Sequence, residues 1–267
     1  MTQKATVRTR TPWQVTKSVW YAMFMREALA RTTGDRFAAF WMIAEPVAFV
    51  LLFIAVREFL GRMKFIAGAD FVPWLIVGLM TFFLFREGMM RSLGAINANK
   101  ALFTYRQVKP VDTVFVRCAV EFTLRTFVFI ILLCGAGLFG FSVFPYEALD
   151  VIFIWLSVWL LGIGVGLVLS VGATLIPEVE RIVKMTSFPL MLMSGVMFPV
   201  NFLSHDVQEI ILYNPVIHGV ESIRLAFFEG YFTLGGIDLL YMYYWSLSSI
   251  ALGLALHVKF AMKLKAQ

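Results

Sequence analysis

Apolar residues along this chain gather into long runs separated by short polar segments. Runs lie near 37–58, 71–90, 112–141, 149–175, 183–203 and 236–258. Each is close to or above the roughly 20 residues that a helix needs to cross a bilayer. The pattern predicts an all-α membrane protein with six transmembrane helices and both termini on one side. Arg86 and Glu87 interrupt the second run. They place its last turn at headgroup depth, where Arg86 can reach toward water and Glu87 can pair with it.

Three further segments have patterns of their own. Trp13, Thr16, Trp20 and Phe24 recur at helical spacing, interrupted by Lys17, Arg26 and Glu27. Residues 13–33 are therefore expected to form an amphipathic helix lying in the interface, or a soluble docking helix of the same pattern. Residues 95–105 read as a short polar helix ended by Pro110, either a docking element for a partner or a solvated loop. Residues 204–235 are too long for a turn and too apolar for an ordinary loop. Their two apolar stretches flank Asn214–Pro215, so two short helices that dip into the membrane and return are expected. The expected organisation is a tail, 1–36, holding the interface helix, followed by one six-helix domain, 37–267.

Composition strengthens the membrane reading. Hydrophobic residues make up 60% of the chain and charged residues 15%, against about 25% charged in soluble domains; the mean hydropathy is +0.81. The net charge of +6 needs no nucleic acid to explain it. Eighteen Lys and Arg fall in the segments and span ends on one side and four on the other. That asymmetry marks the first side, with both termini, as cytoplasmic. The first three dozen residues lack the short apolar core of a cleavable signal, so the first apolar run is expected to target the chain. Cys118 and Cys134 are sixteen positions apart, roughly 24 Å along one helix, too far to bridge.

Chemistry within the chain is sparse. There is no glycine-rich phosphate loop ending in Lys-Ser or Lys-Thr, no His-x-x-x-His pair and no Gly-x-Ser-x-Gly elbow. His205, His218 and His257 are scattered, so neither a catalytic nor a metal site is expected. Glu45, placed before Pro46, is costly inside a span. It either lines a pathway or bonds a helix carbonyl freed by the proline. Glu121 and Arg125, four apart, read as a self-neutralising pair. Gly162, Gly164, Gly166 and Ser170 form a small-residue seam for helix packing. Met185, Met191, Met193 and Met197, with Pro189 and Pro199, give either lipid-facing filler or a deformable wall.

Several stretches together resemble the capsular polysaccharide export permeases, the transmembrane subunits of type-2 ABC exporters. They are Asn99-Lys100-Ala101-Leu102, Tyr105 through Asp112, Glu45-Pro46, Met197-Phe198-Pro199-Val200, Tyr213 through His218, and Glu221-Ser222-Ile223-Arg224. The resemblance runs in order over nearly the whole chain. It implies a homodimer of six-helix subunits in the bacterial inner membrane with a channel between them. Two copies of a separate ATPase, which carries ATP and Mg, would dock through the 95–105 helix and the interface helix. A periplasmic co-polymerase and an outer-membrane polysaccharide pore would continue the path. The substrate would be a lipid-anchored polysaccharide, and this chain would hold no cofactor and no enzyme activity.

On that reading the channel or gate candidates are Glu45, Phe49, Phe53, Met191, Phe198, Phe202, Tyr213, Asn214, His218, Arg224 and Tyr231. The ATPase-docking candidates are Asn97, Asn99, Lys100, Phe103, Tyr105 and Arg106. Aromatic rings suit a sliding sugar chain because pyranoses present apolar C–H faces. Two alternatives stay open: a permease for O-antigen, teichoic acid or a small drug, and a membrane-embedded transferase or hydrolase acting on lipid-linked sugar.

Overall fold

The computed structural model describes residues 11–34, 37–60, 66 and 68–266, and every regular element among them is helical. In chain order these are α1 (Pro12–Thr33), α2 (Ala38–Leu60), α3 (Phe71–Leu93), a 3-10 helix (Asn97–Thr104), α4 (Pro110–Leu138), α5 (Ala148–Leu175) and α6 (Glu178–Met193). A 3-10 turn (Val200–Phe202), α7 (His205–Ile211), α8 (Pro215–Phe227), α9 (Leu239–Lys259) and α10 (Ala261–Ala266) follow.

Local chemistry sets the starts. At α1 the Thr11 hydroxyl accepts from the Gln14 N–H while the Gln14 side chain accepts from the Thr11 N–H, with Pro12 next. The α4 start has Pro110 in its first turn, and the Asp112 carboxylate accepts from the Lys109 N–H at 2.8 Å. Asn214 and Asp238 cap α8 and α9 in the same manner, through the Val216 and Leu240 N–H groups.

Helix α3 is the axis of the bundle. Trp74, Leu75, Val77, Leu79, Met80, Phe82 and Phe83 are completely buried, because α4, α5 and α8 surround them. The most extensive helix pairing joins α5 to α9. The glycine seam explains how closely these helices approach. Gly162 and Gly166 lie against Phe85, Gly88 and Ser92 of α3, and Gly164 against Ser246 and Ser249 of α9.

A Cβ added at Gly253 of α9 would sit 2.5 Å from the Leu167 Cβ, whereas one added at Gly135 meets nothing within 4 Å. Gly253→Leu is therefore expected to force α9 from α5 and lose most monodisperse protein on size exclusion. Overpacking costs about 1–3 kcal/mol for even modest additions. Gly135→Leu is expected to behave like the parent.

Two expectations need correction. The predicted span at 183–203 is not one helix. Helix α6 ends at Met193 after 16 residues, about 24 Å of rise against the roughly 30 Å of a hydrocarbon core. The chain then breaks at Gly195, where φ is +65°, and enters the 3-10 turn after Pro199. Among the described residues four helices are long and apolar enough to cross a membrane: α3, α4, α5 and α9. Helix α2 has a shorter apolar stretch, Phe40–Val56. The short polar helix expected at 95–105 is a 3-10 helix over Asn97–Thr104.

Helix α2 joins the main core through Val50 and Phe49 but leaves a gap along part of its length. An apolar cavity of about 880 Å³ separates Val47, Val50 and Ile54 of α2 from Phe71 and Ile76 of α3 and Leu132 and Gly135 of α4.

Candidate functional site

Seven charged side chains from four helices converge at the end of the bundle that carries the 3-10 helix. Arg86 donates to Glu45 at 3.0 Å, and Arg31 donates to Glu121 at 2.9 Å. Arg91 lies 3.3 Å from Glu121 and 3.5 Å from Glu87. Arg125 lies 3.5 Å from Glu87, 3.9 Å from Glu121 and 4.0 Å from Glu45. Helical geometry builds half of this, since Glu87–Arg91 and Glu121–Arg125 are four apart. Tertiary packing builds the rest.

Glu121 and Arg125 are thus not a closed pair, since the nearer partner of Glu121 comes from α1. Glu45 finds a cation rather than the backbone. The cluster borders a cleft of about 1000 Å³ whose wall includes Trp41, Met42, Arg125 and Ser187. Arg125 is only 1% exposed. Its Nε and Nη1 groups hydrogen-bond to nothing among the described residues.

Beside this cleft, α1 is fastened along its length. Trp20 donates to Asp112 at 2.8 Å, Arg117 pairs with Glu27 at 2.9 Å, and Arg26 donates to the Asn99 side-chain carbonyl. Under these links Met23, Ile96, Phe103, Val108 and Leu264 form a small apolar core, so α1, the 3-10 helix and α10 pack as one piece. Of the docking candidates, Asn97, Lys100, Tyr105 and Arg106 are exposed. Asn99 and Phe103 are buried and hold the segment in place: the Asn99 amide also donates to the Ala95 carbonyl at 2.8 Å.

The opposite end holds a second buried pair. Arg224, 0% exposed, pairs with Glu221 at 2.6 Å and donates to the Gly195 and Val196 carbonyls at 2.7 and 3.0 Å. Its guanidinium stacks 3.5 Å over the Trp74 ring. Tyr231 and Thr233 donate to the other Glu221 oxygen. Burial pushes the Tyr231 phenol up to about 12, partly opposed by Arg224, so it stays a donor. These contacts satisfy the backbone of the break after α6.

Arg224 and Tyr231 therefore lie inside the chain rather than on an open wall. Met191, Asn214 and His218 are buried with them. Asn214 caps α8 and donates to Ser194 at 2.9 Å. His218 bridges the Leu212 carbonyl at 2.9 Å and the Asp238 N–H at 3.0 Å. Phe202 and Tyr213 are 72% and 75% exposed, and Phe198 is half-buried. Phe49 and Phe53 stack on one another, and Phe49 meets Phe83 edge-on at 5.7 Å. Glu45 and these two phenylalanines lie on α2, apart from the buried gate candidates. Arg91 and Arg31 are not among the residues that the sequence pattern singles out, and Glu87 enters there only as a partner of Arg86, from which it lies 3.6 Å away. Their signal is the i, i+4 spacing of Glu87 and Arg91 at the end of the second apolar run, and a charge near the end of the 13–33 segment.

The comparisons with known proteins agree over nearly the whole chain. It is 32% identical over 248 residues, 93% of its length and 95% of the relative's, to the polysialic acid transport protein KpsM of Escherichia coli. It is 26% identical over 214 residues, 80% of each chain, to the capsule polysaccharide export inner-membrane protein CtrC of Neisseria meningitidis serogroup A. It is also 26% identical over 207 residues, 78% of each chain, to the capsule polysaccharide export inner-membrane protein BexB of Haemophilus influenzae. With the ABC-2 type transporter family model matching residues 18–228, the chain belongs to the ABC-2 type transporter membrane family.

Proposed function

We propose that this chain is the membrane subunit of an ATP-driven exporter that moves a lipid-anchored capsular polysaccharide across a bacterial inner membrane. The observation that carries the reading is its 32% identity, over 93% of its length, to a polysialic acid transport protein. Two copies of the chain enclose the path. Two copies of a separate ATPase, with ATP and Mg bound there, supply the energy. A periplasmic co-polymerase and an outer-membrane pore receive the polymer.

Both termini face the cytoplasm, in keeping with the distribution of Lys and Arg. Six crossings follow if α2 and the α6-to-turn segment join the four long helices, with α7 and α8 re-entering from the outer side. The exposed Lys100, Tyr105 and Arg106 meet the ATPase. Motion received there passes through Asn99–Arg26 to α1, and through Arg31–Glu121 to the arginine–glutamate cluster that ties down α2.

Deleting the gene in its source bacterium is expected to abolish surface polysaccharide while polymer accumulates inside the cell. A plasmid copy restores the surface polymer. Undiminished surface polysaccharide in the deletion strain would overturn the reading.

A further inference from the structure

Helix α10 turns one side chain inward and the rest outward. Leu264 is completely buried, in the small core that also holds Ile96, Phe103 and Val108. So α10 and the 3-10 helix flank one apolar centre. Phe260 packs against the same core, and the Lys263 ammonium lies 5.9 Å from its ring. The segments 95–109 and 257–266 contain no Asp or Glu. Their six cations, Lys100, Arg106, Lys109, Lys259, Lys263 and Lys265, are all exposed. Carboxylates of the adjoining elements are engaged elsewhere: Asp112 by Trp20 and the Lys109 N–H, Glu27 by Arg117, and Glu180 by Lys184. One small block of the protein thus presents a basic surface that its own described residues do not neutralise.

Two partners fit a basic surface, an acidic protein and an anionic bilayer. A helix that lies on a bilayer turns an apolar face into it. Helix α10 turns its leucine into the protein instead, and Met262, 82% exposed, is the one large apolar side chain it leaves outside. A flexible methionine between lysines suits a protein surface that is acidic and slightly hollowed.

We propose that α10 is a second docking element for the ATPase, meeting an acidic patch on that subunit beside the 3-10 segment. The proposal rests on the export reading and adds to it a surface and the charge of its partner.

The test uses the full chain in nonionic detergent and the separately purified ATPase, with affinity measured across a salt series. Lys263→Glu with Lys265→Glu is expected to weaken association about tenfold and to flatten its dependence on salt. The Tm should not change, because both side chains are exposed. Lys263→Gln with Lys265→Gln is expected to lose less, about threefold. An ATPase variant with one surface carboxylate replaced by lysine is expected to recover part of the affinity of the doubly reversed chain.

Parent-like affinity of the doubly reversed chain in detergent overturns the α10 surface. A loss seen only in phosphatidylglycerol nanodiscs, and not in detergent or phosphatidylcholine nanodiscs, assigns the lysines to the bilayer and overturns it too. A parent chain that holds no ATPase in any medium is a separate result, which overturns the export reading and the proposal with it.

Discussion

Arg224→Met is expected to leave little folded protein. The substitution strands the Glu221 carboxylate, which is completely buried, and frees the Gly195 and Val196 carbonyls at the break after α6. Removing one partner of a buried ion pair costs about 3–5 kcal/mol, a large share of the roughly 5–15 kcal/mol that holds a typical domain together. Thermal unfolding followed by fluorescence-detected size exclusion should show an apparent Tm lower by about 10 °C or more.

Arg224→Lys keeps the charge but cannot reach two carbonyls and a carboxylate while stacking on Trp74, so it restores little. The double variant Arg224→Met with Glu221→Gln no longer buries an unpaired charge and should be more stable than Arg224→Met alone. A single variant as stable as the parent would show that the pair does not hold this region.

The combined substitution Lys100→Glu, Tyr105→Ala and Arg106→Glu is expected to do the reverse, leaving the fold intact and removing function. All three side chains are exposed, and such surface changes usually alter stability by less than about 0.5 kcal/mol. Loss of an aromatic anchor and reversal of two charges at a docking surface should weaken ATPase association by at least about tenfold. Co-purification of the two subunits across a salt series, together with surface polysaccharide in cells, measures this. Phe103→Ala is the contrasting control, because that ring is buried and its loss should lower the Tm instead. Full ATPase recovery with the triple variant would remove the docking role from this segment.

Both variants bear on what hydropathy and spacing could reveal. The edges of α4 and α8 were legible because Pro110 and Asn214–Pro215 act locally. The break at Gly195 was hidden inside an apolar run. A non-helical backbone there survives because Arg224, almost thirty residues further on, satisfies its carbonyls, and hydropathy does not register such a remote donor. Asn99 was equally deceptive: a polar residue in a polar segment reads as exposed, yet Arg26 and the Ala95 carbonyl engage it from within. The Glu87–Arg91 and Glu121–Arg125 spacings were visible as pairs. Their convergence with Glu45 and Arg31 depends on the relative depth and rotation of four helices, which a one-dimensional pattern does not fix. For the same reason Met191, His218 and Tyr231 suggested a pathway wall when they pack inward.

In a bilayer the wedge between α2 and the α3–α4 pair, apolar apart from Glu58 and Asp70, is expected to admit hydrocarbon tails. The tilt of α2 is then a joint property of protein and surrounding amphiphile, fixed at one end by Glu45–Arg86. Solubilisation in a short-tailed detergent removes that filling and lets the free end of the helix settle inward. Preparations from different amphiphiles will therefore differ first at α2.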